Sequence, residues 1–199
     1  MSNQYSRIAI ATGASSGIGE ATVRKFVTSG FCVVGNARNA AKLRELKQEM
    51  GAAFCGIAGD ATDSIVLDKL FASAIERFGK SADIVVANAG RGLGGSVKDA
   101  DLSKFEEVLK LNVTGTLALL QKAANEMMTE QQSNYPNRAA DIVIIGSVVG
   151  RHASPFSAVY GAPLLYGDDV ANAIHYIVTQ PPQVHISDII VRPTRQDYP

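Results

Sequence analysis

The sequence predicts an α/β fold: a Rossmann-like, doubly wound parallel sheet in a single domain over residues 1–199. Three observations carry this expectation. Short apolar runs alternate with amphipathic helical stretches almost from the start of the chain. The runs are rich in β-branched residues and apolar on both faces, as strands covered by helices on each side must be. A glycine-rich turn follows the first run and opens a helix. With 199 residues, 46% hydrophobic and 19% charged, the chain has the composition of an ordinary globular domain and can bury a sizeable core.

The runs, in order, are RIAIAT (7–12), FCVVGNA (31–37), AAFCGI (52–57), DIVVANA (83–89), DIVIIGS (141–147) and ISDIIV (186–191). Between the third and fourth, Leu67, Leu70, Phe71, Ala74, Ile75 and Phe78 recur at the spacing of one helical stripe. Thr62, Asp63 and Ser64 offer N-caps for that helix, and Gly79 offers its C-terminal stop. Strand followed by helix, repeated, implies right-handed crossovers and a doubly wound sheet. The polar TEQQSNYPNRAAD (129–141) reads as a surface loop, and the chain has no internal repeat or low-complexity tract.

Charge and composition exclude several function classes. Lys+Arg and Asp+Glu both number 19, so the basic excess that phosphate-backbone binding wants is missing and nucleic acid is not an expected partner. No apolar run approaches the length of a bilayer span, and the polar start MSNQYSR lacks the pattern of a secretory leader, so no membrane partner and a cytoplasmic location are expected. Cys32 and Cys55 lie in apolar runs and read as small buried thiols. His152, His175 and His185 show no metal-ligand spacing, so no metal site is expected.

The first segment with chemistry is TGASSGIGEA, directly after the first run. Gly13, Gly17 and Gly19 are spaced to turn the chain tightly, admit a diphosphate close to the backbone and pack the next helix against the strand. The helix beginning near Ile18 aims free N–H groups and its positive dipole end at those phosphates. The alternative is a purely structural turn, which its place between a first strand and a helix disfavours. At the end of the second run, Ala37 is followed by Arg38, where an acidic side chain usually meets a free ribose 2′-hydroxyl. An arginine there can pair with a 2′-phosphate, with Ser15 as a second contact, so NADP is expected in preference to NAD. The competing reading of Arg38 is a solvated surface residue.

Several separated motifs, agreeing in order, resemble the short-chain dehydrogenase/reductase family. TGASSGIG matches the family's TGxxxGxG, and the resemblance makes Gly13, Ser15, Ser16, Gly17, Ile18 and Gly19 the cofactor turn. Asp60 and Ala61 in GDATD match the acidic position that holds the adenine amino group, and Asn88, Ala89 and Gly90 match the family's NAG. Asn112 in LNVTGT, Ser147 in IIGSVVG and Tyr160, thirteen residues later, match its catalytic asparagine, serine and tyrosine. The resemblance implies that Tyr160 moves a proton to or from the substrate oxygen, Ser147 hydrogen-bonds that oxygen, and Asn112 holds a water that relays protons. It also implies a small alcohol or ketone as substrate, the tail being similar to that of members acting on 3-hydroxy acids, and a homo-oligomer, dimer or tetramer.

One part of the pattern is broken. The family places a lysine four residues after the tyrosine, to lower the phenol's pKa from about 10 and to hold the nicotinamide ribose. Here that residue is Leu164, and the last lysine in the chain is Lys122. Pro163 also forbids a helix continuing from Tyr160. Good matches on both sides of Ala162 and Pro163 imply that a helix, a strand and a substrate lid, roughly 50 residues, are missing between them. The run at 186–191 is then expected to lack its neighbour in the sheet. A polypeptide retaining that segment would carry the full catalytic set. Without it the rival reading is a catalytically inactive dinucleotide-binding or interaction protein.

Overall fold

A computed structural model describes residues 7–93, 98, 101–131, 140–147 and 166–192. Five strands, β1 (Ile8–Thr12), β2 (Cys32–Ala37), β3 (Phe54–Ala58), β4 (Ile84–Ala87) and β5 (Asp141–Ile144), form one sheet in the order β3-β2-β1-β4-β5. Every strand pair is parallel. The helices are α1 (Gly17–Thr28), α2 (Ala40–Met50), α3 (Ser64–Phe78), α4 (Leu102–Leu109), α5 (Thr116–Gln131) and α6 (Gly167–Val178), with a π-helical turn, Lys110–Gly115, joining α4 to α5. The architecture is the expected Rossmann-like one.

Strand alternation sorts the core into two layers. Ala9, Ala11, Ile84 and Val86 pack on one face with Phe26 of α1, Leu46 of α2 and Ile174 and Val178 of α6. Ile8, Ile10 and Val85 pack on the other with Leu70 and Phe71 of α3 and Leu119 of α5. Helix α3 starts where Asp63 accepts the Ile65 N–H and stops at Gly79, whose φ of 79° suits glycine. Of its expected stripe only Ile75 faces outward, at 50% exposure.

At the amino edge of the sheet one side chain ties four elements together. The Arg7 guanidinium pairs with Asp83 at 3.4 Å and Asp141 at 2.7 Å, and donates to the Asp83 and Val178 carbonyls. Asp83 also accepts the Ile8 N–H at 3.0 Å. Strands β1, β4 and β5 and the end of α6 are thereby held in register.

Differences from expectation cluster at the margins. Residues 186–191 form no strand and are largely exposed, because an extended segment without a hydrogen-bonded neighbour is not a strand. The apolar runs at 52–57 and 141–147 were expected to be covered on both faces. Instead β3 and β5 are the sheet's edges, and Ile142 and Ile144 of β5 are 39% and 56% exposed. The polar stretch from 129 begins inside α5, which runs to Gln131 before the chain leaves the described residues. Cys32 is buried and its thiol is pushed up to about 11 by burial, while Cys55 is only half-buried.

Two outcomes test this packing. Arg7→Met removes the arginine from the buried Asp83 carboxylate, whose lysine neighbour Lys80 stands 3.9 Å away, and urea denaturation is expected to show a loss of about 3 kcal/mol. His175 of α6 stacks on Phe31 with centroids 5.9 Å apart, and burial lowers its pKa. The unfolded chain therefore takes up a proton first, from about pH 6.5 downward, and folding stability is expected to fall as pH drops from there to the depressed value. His175→Phe keeps the stack and is expected to remove that part of the slope, measured as urea midpoint against pH.

Candidate cofactor-binding and active site

The glycine turn is fixed by its neighbours as much as by its own conformation. Gly13 and Gly17 have φ of 70° and 54°, a region L side chains rarely adopt. A Cβ on Gly13 would lie 2.7 Å from Asn88 Nδ2, and one on Gly19 would lie 2.1 Å from the Gly13 carbonyl oxygen. The turn is held on one side by the Ala14 N–H, which donates to the Asn36 carbonyl at 2.9 Å. On the other side the Thr12 hydroxyl accepts the Asn88 and Ala89 N–H groups at 3.1 and 3.0 Å, and Asn88 Nδ2 donates to the Thr12 carbonyl at 2.9 Å. Ser16 occupies the N-cap of α1 in an extended conformation, and its side chain makes no capping bond.

The remaining candidates follow the carboxyl ends of the strands, where open parallel sheets bind ligands. Arg38 lies exposed just after β2 and Asp60 just after β3. Asp60 accepts the Thr62 N–H at 2.8 Å; this bond, aided by Arg38 and Lys110, holds its carboxyl below the usual carboxylate range. Ala61 is half-buried, and its carbonyl lies 3.5 Å from where a Cβ on Gly115 would stand. Asn88, Ala89 and Gly90 follow β4, and Ser147 follows β5, exposed.

Asn112 sits in the π-helical turn and clamps the chain after Gly90. Its Oδ1 accepts the Arg91 N–H at 3.0 Å and its Nδ2 donates to the Arg91 carbonyl at 2.9 Å. The structure thus brings Asn112 beside the 88–90 segment, with both ends of its amide engaged on backbone. Tyr160, and with it the junction at Ala162 and Pro163, lies outside the described residues. Among the described residues no cluster of His, Cys, Asp or Glu could hold a metal ion, and no helix is long and apolar enough to cross a membrane.

Two positioning residues were not singled out from the sequence. Thr12 opens the glycine motif yet reads as the end of a strand. Asn36, 1% exposed, donates to the Ile57 and Gly59 carbonyls at 3.1 Å and so fixes β3 beside β2. The signal for Asn36 was present, a lone polar residue in an apolar strand.

Residues 7–163 match the family model described as short chain dehydrogenase, well over half of the chain. The chain belongs to the short chain dehydrogenase family. Its relatives are oxidoreductases. It is 27% identical to an uncharacterized oxidoreductase of Staphylococcus epidermidis, with 97% of this chain and all of that protein aligned. It is 26% identical to a serine 3-dehydrogenase of Agrobacterium fabrum, covering 94% of each chain. Among solved structures, a metagenomic short-chain oxidoreductase in complex with NADP superposes with a TM-score of 0.81 at 26% identity, covering 98% of this chain and all of that one. The Staphylococcus alignment spans 237 positions against the 199 residues here, so at least 38 positions of the pairing have no residue in this chain.

Thr12→Val preserves shape but removes the acceptor of two backbone N–H groups, with an expected loss of about 2 kcal/mol in urea denaturation. Gly19→Ala forces the turn apart and is expected to abolish NADPH binding, read by fluorescence enhancement, while the far-ultraviolet circular dichroism of the sheet and helices persists.

Proposed function

We propose that the chain binds NADP(H) across the carboxyl edge of its sheet and interconverts a small secondary alcohol, of the serine or 3-hydroxy acid class, with its ketone. The observation that carries this reading is the glycine turn locked against Asn88 through Thr12, with an α1 first turn that Ser16 leaves uncapped. The residues fit a dinucleotide. Gly13 and Gly19 leave no room for side chains of their own, and the first-turn N–H groups of α1 lack intrahelical acceptors, the arrangement that binds phosphate. In this reading Gly13, Ser15, Ser16, Gly17, Ile18 and Gly19 surround the diphosphate and Arg38 meets the 2′-phosphate. Asp60 and Ala61 border the adenine, and Asn88, Ala89 and Gly90 line the path to the nicotinamide. The NADP complex of the metagenomic oxidoreductase and the name of the Agrobacterium enzyme support the cofactor and the substrate class.

When bound, the cofactor gives or takes the hydride. The chain's own residues handle the proton. Tyr160 exchanges it with the substrate oxygen, Ser147 donates a hydrogen bond to that oxygen, and Asn112 fixes the Arg91 backbone beside the crevice. Leu164 stands where the family's lysine would be, and a phenol without an ammonium beside it titrates at about 10. About one phenol in a thousand is then ionised at pH 7. The same observation favours a second reading, a protein that binds the dinucleotide without turnover. It shares the cofactor site and differs only in the chemical step.

NADPH is expected to bind at least tenfold more tightly than NADH, and Arg38→Glu to reverse that order; unchanged selectivity overturns the cofactor assignment. Oxidation of L-serine and a panel of 3-hydroxy acids is expected to be slow at pH 7 and to rise about tenfold per pH unit toward pH 10. Tyr160→Phe is expected to abolish it. Binding with no turnover at any pH selects the second reading. Inserting the relative's additional positions between Ala162 and Pro163 is expected to restore activity at neutral pH.

A further inference from the structure

A second candidate site lies away from the crevice, on the open edge of β3. A groove of about 560 Å³ runs along this strand between α2 and α3, floored by Leu43, Phe54 and Phe78 and rimmed by Arg44, Lys47 and Arg77. No carboxylate lines it. Arg44 and Arg77 are exposed and make no ion pair among the described residues, whereas Arg7, Arg24, Lys42, Arg91, Lys104 and Lys122 all do. Lys47 donates to the Gly51 and Phe54 carbonyls, both at 2.7 Å.

The backbone of β3 gives the groove a second kind of specificity. N–H and C=O groups of alternate residues point to opposite sides of a strand. The Ile57 carbonyl takes Asn36 Nδ2 and the Gly59 N–H reaches the Ala37 carbonyl, so the odd-numbered residues face β2. Phe54, Gly56 and Ala58 therefore face outward. Lys47 covers only the first of these, leaving the donors and acceptors of Gly56 and Ala58 to the groove.

We propose that this edge accepts an acidic, extended peptide, which adds to β3 as a sixth strand. A small anion could pair with the cations but offers nothing to alternating backbone donors and acceptors. A peptide backbone matches them. Successive side chains of such a strand point to opposite faces, so adjacent carboxylates meet Arg44 on the α2 side and Arg77 on the α3 side. Charge complementarity selects an acidic segment over a second copy of β3, whose own rim is cationic.

The test is fluorescence anisotropy on the full chain at about 50 mM salt, where exposed charges still act over more than 10 Å. The probe is a fluorescein-labelled hexapeptide with two central glutamates flanked by valines. Micromolar binding is expected, at least tenfold tighter than for the peptide with lysines in place of glutamates. The double variant Arg44→Glu, Arg77→Glu is expected to lose at least tenfold while NADPH binding is unchanged. Methylating alternate peptide nitrogens keeps the charge but removes strand pairing, and is expected to cost as much without altering the protein. Equal binding of the methylated peptide, or of the lysine peptide, overturns the proposal, as does no binding of the acidic one.

Discussion

The seam between β1 and β4 governs the rest of the site. Beside β1 the chain reverses its course, having built β2 and β3 to one side before returning to build β4 and β5 on the other. Connections leave the two strands in opposite directions there, and a crevice opens at their carboxyl ends. Thr12 spans it from below. Its hydroxyl accepts two N–H groups from the strand opposite, and Asn88 returns an amide proton to the Thr12 carbonyl. This reciprocal arrangement sets the distance between the glycine turn and the 88–90 segment. It also explains the requirement at Gly13 and Gly19: the packed Asn88 amide leaves no space for a Cβ at either position.

Helix α6 is anchored independently of what precedes it in the chain. Gly167 meets α1 at Gly17, where an added Cβ would be 2.9 Å from the Gly17 carbonyl oxygen. Ile174 and Val178 enter the core beside Phe26, and Arg7 ties the helix end to the sheet. These contacts belong to β1 and α1, at the centre of the fold. The docking of the helix thus rests on the inner elements of the sheet and not on β5. At the other end of the sheet, Ile142 and Ile144 of β5 lie beside Val85 and Ala87 yet stay partly in solvent. The half of the sheet that carries the glycine turn is fully layered, and the outer edge on the serine side is not.

Much of this was legible in the sequence because it rests on local, periodic signals. The apolar runs located all five strands, and Asp63 and Gly79 marked the ends of α3. Gly13, Asp60, Asn88 and Ser147 follow the ends of β1, β3, β4 and β5. What escaped depends on tertiary pairing. ISDIIV has a strand's composition, but strand formation is a property of a pair, and residues 186–191 have no partner strand among the described residues. Thr12 looked ordinary because its role lies in bonds to residues far along the chain, and Asn36, though a lone polar residue in an apolar run, gave no hint of its partners. The Asn112 clamp on Arg91 was hidden similarly, because its motif suggested a water-holding role and gave no hint that both amide ends bind backbone.

Cofactor binding and proton transfer place different demands on a chain of this kind. Binding uses backbone N–H groups, glycine clearances and a few charges at strand ends, all set by the inner strands. Proton transfer needs a phenol, a serine and a cation placed together within a fraction of an ångström. Of the cations near the described crevice, Arg91 pairs with Glu107 at 2.7 Å. The two demands fall on different parts of the chain, binding on the inner strands and proton transfer on residues beyond β5.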